Sequence, residues 1–123
     1  MKTYKQLLLE REYFVYDDTA INEMANISKT STKLPCKIYI SDRLGVNHGP
    51  RIKVNADYSD KWSGKSFTIT IANQPTVIGN TFKIKESDIE EIKDWVLLNK
   101  DILLQYWKEE IDTVQFIEKM RSL

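Results

Sequence analysis

The chain has 123 residues, of which 41% are apolar and 29% charged, a composition typical of one folded globular domain and not of a disordered tail. Its 18 basic and 18 acidic side chains cancel, which argues against a dedicated nucleic-acid binder, because such proteins are usually strongly basic. The single cysteine, Cys36, excludes an intramolecular disulfide, and we expect it to be a buried, inert thiol. No apolar run reaches the length of a membrane span, so we expect a cytoplasmic protein with no membrane partner.

The first 34 residues are interpreted as a helical N-terminal arm. Apolar side chains at spacings of three and four predict short helices over residues 3–12 and 19–27. The stretch Ser28–Lys33 has no apolar member and is interpreted as a linker, which divides the arm, residues 1–34, from a main domain, residues 35–123. Because the arm is too apolar to remain in water, we expect it to cover the core or to dock on another chain.

Strict alternation of apolar and polar side chains predicts strands in the middle of the chain. Three runs show this period, over residues 37–40, 51–56 and 66–71, and a weaker fourth strand is predicted between residues 76 and 84. Glycine, asparagine, serine and proline separate the runs, as in an antiparallel meander.

The last third of the chain has the apolar period of helices. Ser87 and Glu90 fit a capping box at the start of the first helix, and residues 99–101 predict a break. Asp112 or Thr113 is expected to cap a last helix. The order of elements predicts an α+β fold, in which a small antiparallel sheet of three or four strands has the C-terminal helices packed on one face.

The charges are distributed unevenly along the chain. Residues 35–85 carry eight basic and three acidic side chains, whereas residues 86–123 carry five basic and ten acidic ones. The sheet is therefore predicted to be basic and the helices acidic, which bears on partners and not on the fold. The sheet face turned away from the helices is expected to be an open surface of alternate strand residues: Lys37, Tyr39, Arg51, Lys53, Asn55, Ser66, Thr68 and Thr70.

Seven residues on or beside this face are the candidate binding residues: Tyr39, Arg43, His48, Arg51, Lys53, Trp62 and Lys65. Trp62 lies in a polar loop where periodicity does not dictate burial, so it is either an interface anchor or packed on the sheet. His48, the single histidine, lies in a turn and is expected to be structural, although beside Arg43 and Arg51 it would suit phosphodiester chemistry. We predict no catalytic residue, no metal site and no cofactor, because no ligand cluster or phosphate-binding glycine loop has a recognised spacing.

Two motifs resemble a known family. Residues 48–54 (HGPRIKV) before a strand, and residues 95–107 (WxxxNxxxLxxYW) in a helix, resemble small bacterial proteins catalogued as domain of unknown function 4160. The former string is also similar to one in small proteins of gut bacteria and their phages, and the likeness covers roughly residues 36–108. It implies a small α+β fold and a mobile-element or defence-related setting, in the host cytoplasm if a phage encodes the chain. This chain has one histidine where the family often has several.

Together these observations predict a non-enzymatic protein-binding protein, acting in host–phage conflict or in a toxin–antitoxin-like pair. The opposite charges of sheet and helices also favour self-association into an oligomer. The alternative is a nucleic-acid-binding module that uses the basic sheet face and Tyr39. A third hypothesis is a phosphodiesterase-like enzyme centred on His48.

Overall fold

The computed structural model describes residues 25–40 and 49–123, and the elements are numbered within those ranges. Five strands form one sheet, in the order β1-β2-β3-β4-β5, and each pairs antiparallel with the next along the chain. The strands are β1 (Ala25–Ile27), β2 (Ile38–Ile40), β3 (Arg51–Asn55), β4 (Ser66–Thr70) and β5 (Val77–Ile78). The helices are α1 (Lys29–Thr32), α2 (Glu86–Leu98), α3 (Lys100–Trp107) and α4 (Thr113–Lys119). The fold is α+β, as the sequence predicted, and the weak fourth strand of that prediction is β5.

One face of the sheet carries the core. Its inner strands align apolar side chains in two rows, none more than 1% exposed: Ile38, Val54 and Phe67 in one, and Ile40, Ile52 and Ile69 in the other. A slip of one residue would turn a whole strand's apolar set to solvent, so the alternation strongly specifies this register.

The three C-terminal helices close the core over this face. Ile92, Trp95, Leu103 and Phe116 are buried in the same cluster as the sheet residues. The rings of Trp95 and Phe116 meet edge to face with their centroids 6.4 Å apart, an arrangement that aromatic pairs favour. No helix in the described ranges is long and apolar enough to cross a membrane.

The predicted break between the first two of these helices is confirmed, and it lies at Asn99. This side chain is fully buried and donates to the carbonyl oxygens of Trp95 and Arg121 at 3.1 and 2.9 Å. Its own oxygen accepts from the Arg121 backbone N–H at 2.7 Å. The break therefore coincides with a buried side chain that bonds the end of α2 to the C-terminal tail.

Two predictions on the N-terminal side are wrong where the structure describes it. Residues 25–27 are an edge strand and not the end of a helix, because they pair with β2 and Ile27 enters the core. Ser28–Lys33 is not an open linker: Ser28 caps α1 by accepting from the Ser31 N–H, and Thr32 is 1% exposed. Residues 25–34 thus pack with the sheet, while the rest of the predicted arm, including the helix over 3–12, lies outside the described residues.

The two predicted helix caps had different outcomes. Asp112 caps α4 in a full capping box with Gln115, as expected. The box at Ser87 is wrong, because α2 begins at Glu86, and its N-cap residue Lys85 makes no side-chain capping bond. The backbone N–H of Lys85 itself donates to the Tyr58 hydroxyl at 3.0 Å, the bond that the Glu90 side chain was expected to make with the N-cap residue in the predicted box.

Candidate interaction surface

The sheet face opposite the core, called the outer face below, is built by strand register. One row of side chains crosses all five strands: Asn26, Tyr39, Lys53, Thr68 and Ile78. Flanking pairs place Arg51 opposite Thr70 and Asn55 opposite Ser66. The register thus confirms that the predicted basic and hydroxyl side chains share one face. The expectation that this face is open throughout is wrong, because Tyr39 and Asn55 are 3% and 0% exposed.

Tyr39 is buried beside a tryptophan from the loop between β3 and β4. The ring of Trp62 meets it edge to face, with centroids 5.4 Å apart and planes at 83°. Burial raises the pKa of the Tyr39 phenol, and the negative charge of Asp60 raises it further. Trp62 itself is half-buried and packs on the sheet, one of the two alternatives predicted for it, and its role as an interface anchor stays a prediction.

Asn55, at the end of β3, organises this loop, which spans residues 56–65. Its amide donates to the carbonyl oxygens of Ser59 and Lys61 at 3.1 and 2.8 Å. Its oxygen accepts from the backbone N–H and the hydroxyl of Ser63 at 3.1 and 2.8 Å. All four hydrogen-bonding positions of the buried amide are used, so Trp62 is held between fixed backbone points. This role of Asn55 was not predicted. Its one signal in the sequence is a polar residue beside apolar positions at the end of the predicted strand over residues 51–56.

The same loop is tied to the helical layer. The Tyr58 hydroxyl donates to Asp88 of α2 at 2.6 Å, and this bond is the main reason that the pKa of Tyr58 is raised. Asp57 accepts from the Ser59 N–H at 2.8 Å and pairs with Lys83 at 3.2 Å. Both contacts lower the pKa of Asp57, the Ser59 bond most. The loop is therefore bonded to the sheet through Asn55 and to residues 83–88 through Asp57 and Tyr58.

The basic side chains of the outer face lie around this tryptophan–tyrosine pair. Lys53 is directly opposite Tyr39, and Lys37 donates to the Asp60 carbonyl oxygen at 3.3 Å. Arg51 lies two residues before Lys53 on the same face, and its Nε is buried and has no hydrogen-bond partner among the described residues. The Arg51 side chain therefore lies along the surface and does not extend fully into solvent.

Lys65, the remaining described candidate, contacts a different aromatic ring. Its Nζ lies 5.1 Å from the centroid of Phe82, a cation–π distance. Phe82 is 44% exposed, has a φ of 53°, and follows the β5 residue Ile78, which is also 44% exposed. Neither Phe82 nor Ile78 was among the predicted candidates, and both lie in the weaker strand predicted between residues 76 and 84.

The seven predicted residues thus divide by position. Tyr39, Lys53 and Trp62 lie together, with Arg51 on the same face, and Lys65 lies beside Phe82. The remaining two, Arg43 and His48, lie outside the described residues, so the catalytic hypothesis on His48 stays a prediction.

Metal and nucleophile chemistry have little support in the parts of the chain that the structure describes. There, no group of histidine, cysteine and acidic residues is arranged to hold a metal ion. Burial is the main cause that raises the pKa of Cys36 to about 11, as expected of an inert thiol.

A depression of about 460 Å³ between α3 and α4 is lined by acidic side chains that include Glu109 and Asp112.

Comparison of the chain with protein-family models, with curated proteins and with solved structures finds no match. The resemblance to the family carried by residues 48–54 and 95–107 therefore stays a prediction.

Proposed function

We propose that this chain is a non-enzymatic binding protein that docks a protein partner on its outer face, with Trp62 as the anchor. The proposal depends on the hydrogen bonds by which Asn55 holds the loop around Trp62. A fully buried asparagine uses all its hydrogen-bonding positions to hold a ten-residue loop that places Trp62 against Tyr39 on the outer face.

Trp62 is half-buried against Tyr39, with its indole nitrogen buried, so the part of the ring that stays at the surface is held in one position by the fold. Tryptophan and arginine are the residue types enriched among the few that dominate binding energy. A side chain that is already ordered loses less conformational entropy when a partner covers it. The loop bonds of Asn55 and Tyr58 supply that order before any partner arrives.

The charges around the anchor indicate the chemistry of the partner. Arg51 and Lys53 lie on the outer face, and residues 35–85 as a whole carry an excess of five basic side chains. Complementary charge accelerates encounter and selects among partners. The partner surface is therefore acidic, with an apolar pocket or groove that accepts an indole ring.

Burial of Tyr39 favours a protein over a nucleic acid. Single-stranded nucleic acids bind by stacking bases on open aromatic faces. Tyr39 is 3% exposed and lies against Trp62, so it offers no such face. The setting in a mobile element or a toxin–antitoxin-like pair is proposed on the family resemblance alone.

The test is affinity capture with the tagged full chain from nuclease-treated host lysate, followed by measurement of the affinity for the purified captured protein. Trp62→Ala is expected to weaken that complex about 30-fold, the loss of roughly 2 kcal/mol at a dominant interface residue. Val114→Ala is the control, because Val114 is 64% exposed on α4 and should leave the affinity unchanged. Equal binding by the Trp62 variant and the parent would contradict the proposal.

The nucleic-acid alternative has its own measurement. Binding of a labelled single strand to the parent should stay in the non-specific range of about 10⁻⁴–10⁻⁶ M at physiological salt. A much tighter complex, weakened by both Arg51→Ala and Lys53→Ala, would make that alternative the better one.

A further inference from the structure

A second surface lies at the β5 edge of the sheet and is made of Lys65, Ile78 and Phe82, here called the edge patch. Ile78 ends β5 and is opposite Thr68 on the outer face. Phe82 follows four residues later, in the turn after β5, and the Lys65 Nζ lies 5.1 Å from the centroid of its ring. Two large apolar side chains, each 44% exposed, thus lie four residues apart at the end of this strand, and one of them has a cation over its ring.

The backbone at Phe82 is unusual for such a residue. Its φ of 53° is in the left-handed region, which a bulky aromatic side chain rarely adopts. The Asn80 side chain accepts from the Phe82 N–H at 2.7 Å and holds the turn. Because nearly half of the side chain remains in solvent, burial within the chain gives a weak reason to keep phenylalanine here. Strained residues of this kind concentrate at functional surfaces.

The exposed side of α2 has the complementary composition. Its residues Leu97 and Leu98 are 44% and 37% exposed, again two large apolar side chains. Glu90, Glu91 and Asp94 precede them at helical spacing on the exposed side of the helix. These five residues are called the helix patch below, an acidic and apolar counterpart of the edge patch.

We infer that the edge patch of one copy binds the helix patch of a second copy. Each patch has two large exposed apolar side chains, and the two patches carry charge of opposite sign. The edge patch has Lys65, and the helix patch has three carboxylates, of which Glu90 also pairs with Lys93 at 3.2 Å. The two patches differ, so the contact is heterologous and leaves one free patch at each end of a dimer. The edge patch shares Ile78 with the outer face and Lys65 with the loop of Trp62, but Trp62 itself takes no part, so a Trp62 variant separates this association from the proposed function.

The first experiment is sedimentation velocity of the full chain at low and high salt. The parent is expected to associate at low salt and to dissociate at high salt, because screening weakens the charge attraction. Phe82→Asn should weaken association at least tenfold without unfolding the chain, since asparagine tolerates positive φ. Lys65→Glu provides a second edge-patch variant, and Val114→Ser is the exposed control that should associate like the parent.

A mixing experiment then tests the heterologous geometry. Asp94→Lys, a helix-patch variant, should be monomeric alone, as should Phe82→Asn. The mixture of the two should form dimers that grow no further, because each variant retains the patch that the other has lost. A monomeric parent at low salt, or a mixture that stays monomeric, would overturn the inference. Trp62→Ala should associate like the parent, so loss of partner capture and loss of self-association are distinguishable.

Discussion

The loop of residues 56–65 and the segment of residues 79–84 both present an aromatic side chain at the surface, and they hold it in opposite ways. In the loop, four hydrogen bonds from the buried Asn55 fix the backbone around a half-buried tryptophan. In the segment, one asparagine bond and a cation–π contact hold an exposed phenylalanine at positive φ. Trp62 is therefore held by the hydrogen bonds of a buried side chain, whereas Phe82 is held by local contacts at the edge of the sheet.

Substitution of Asn55 should have the largest effect on the loop. Asn55→Ala should lower the free energy of unfolding by about 3 kcal/mol, because it removes all four hydrogen bonds of a fully buried side chain and the loop loses the bonds that fix its backbone. Urea denaturation followed by circular dichroism measures the loss. Asn26→Ala, an exposed asparagine on the same face, is the matched control and should change stability by less than about 0.5 kcal/mol. Equal effects of the two substitutions would show that the loop does not depend on Asn55.

Reactivity of Cys36 tests whether the loop opens locally. The thiol is fully buried with a pKa of about 11, and the charges of Asp88, Lys29 and Asp57 are close enough to influence it. At pH 8 only about one thiol in a thousand is ionised, so a disulfide reagent should react through opened molecules. Asn55→Ala should speed labelling at least tenfold, and Phe82→Asn should leave the rate within twofold of the parent's. Fast labelling of the parent itself would contradict the rigid loop.

The segment of residues 79–84 should tolerate substitution. Phe82→Asn is expected to change the free energy of unfolding by less than about 1 kcal/mol, because relief of positive-φ strain offsets the lost cation–π contact. Phe67→Ala provides the contrast with a fully buried phenylalanine and should cost about 3–5 kcal/mol. A large loss for Phe82→Asn in the same urea experiment would place Phe82 among the residues that support the core.

The smallest effect concerns the acid sensitivity of the loop. Asp57 has a pKa below its ordinary value of 3.8, chiefly because the Ser59 N–H donates to it. The carboxylate therefore stabilises the fold above pH 3.8, and that contribution is lost as the pH falls through the lower folded value. Between pH 5 and pH 2.5, Asp57→Asn should reduce the fall in the urea midpoint. Lys83→Met should keep most of the fall, because the Ser59 bond remains; a steeper fall for Asp57→Asn would reverse the sign.

The sheet and helices were predictable to the extent that local periodicity encodes them. Residues 51–55 and 66–70 alternate strictly, and both are strands with their apolar side chains in the core. Asp112 capped its helix as expected because the capping box needs only residues three positions apart. The edge strand β1 was missed, because residues 25–27 are too few to show a period and depend on pairing with β2.

The candidate surface was predictable only in composition. Alternation placed Tyr39, Arg51 and Lys53 on one face, and the register agrees. The burial of Tyr39 was not predictable, because it depends on Trp62, whose loop position has no periodicity.

The α+β class, the uneven distribution of charge and the face that each strand residue occupies were predictable from the residues alone, because all three follow from residue type and a period of two or 3.6. The roles of Asn55, Tyr58 and Phe82 were not. The Tyr58 hydroxyl bonds Asp88 thirty residues away, and Asn55 reaches across a closed loop. Such partners meet only when the chain has folded, so no local pattern contains them.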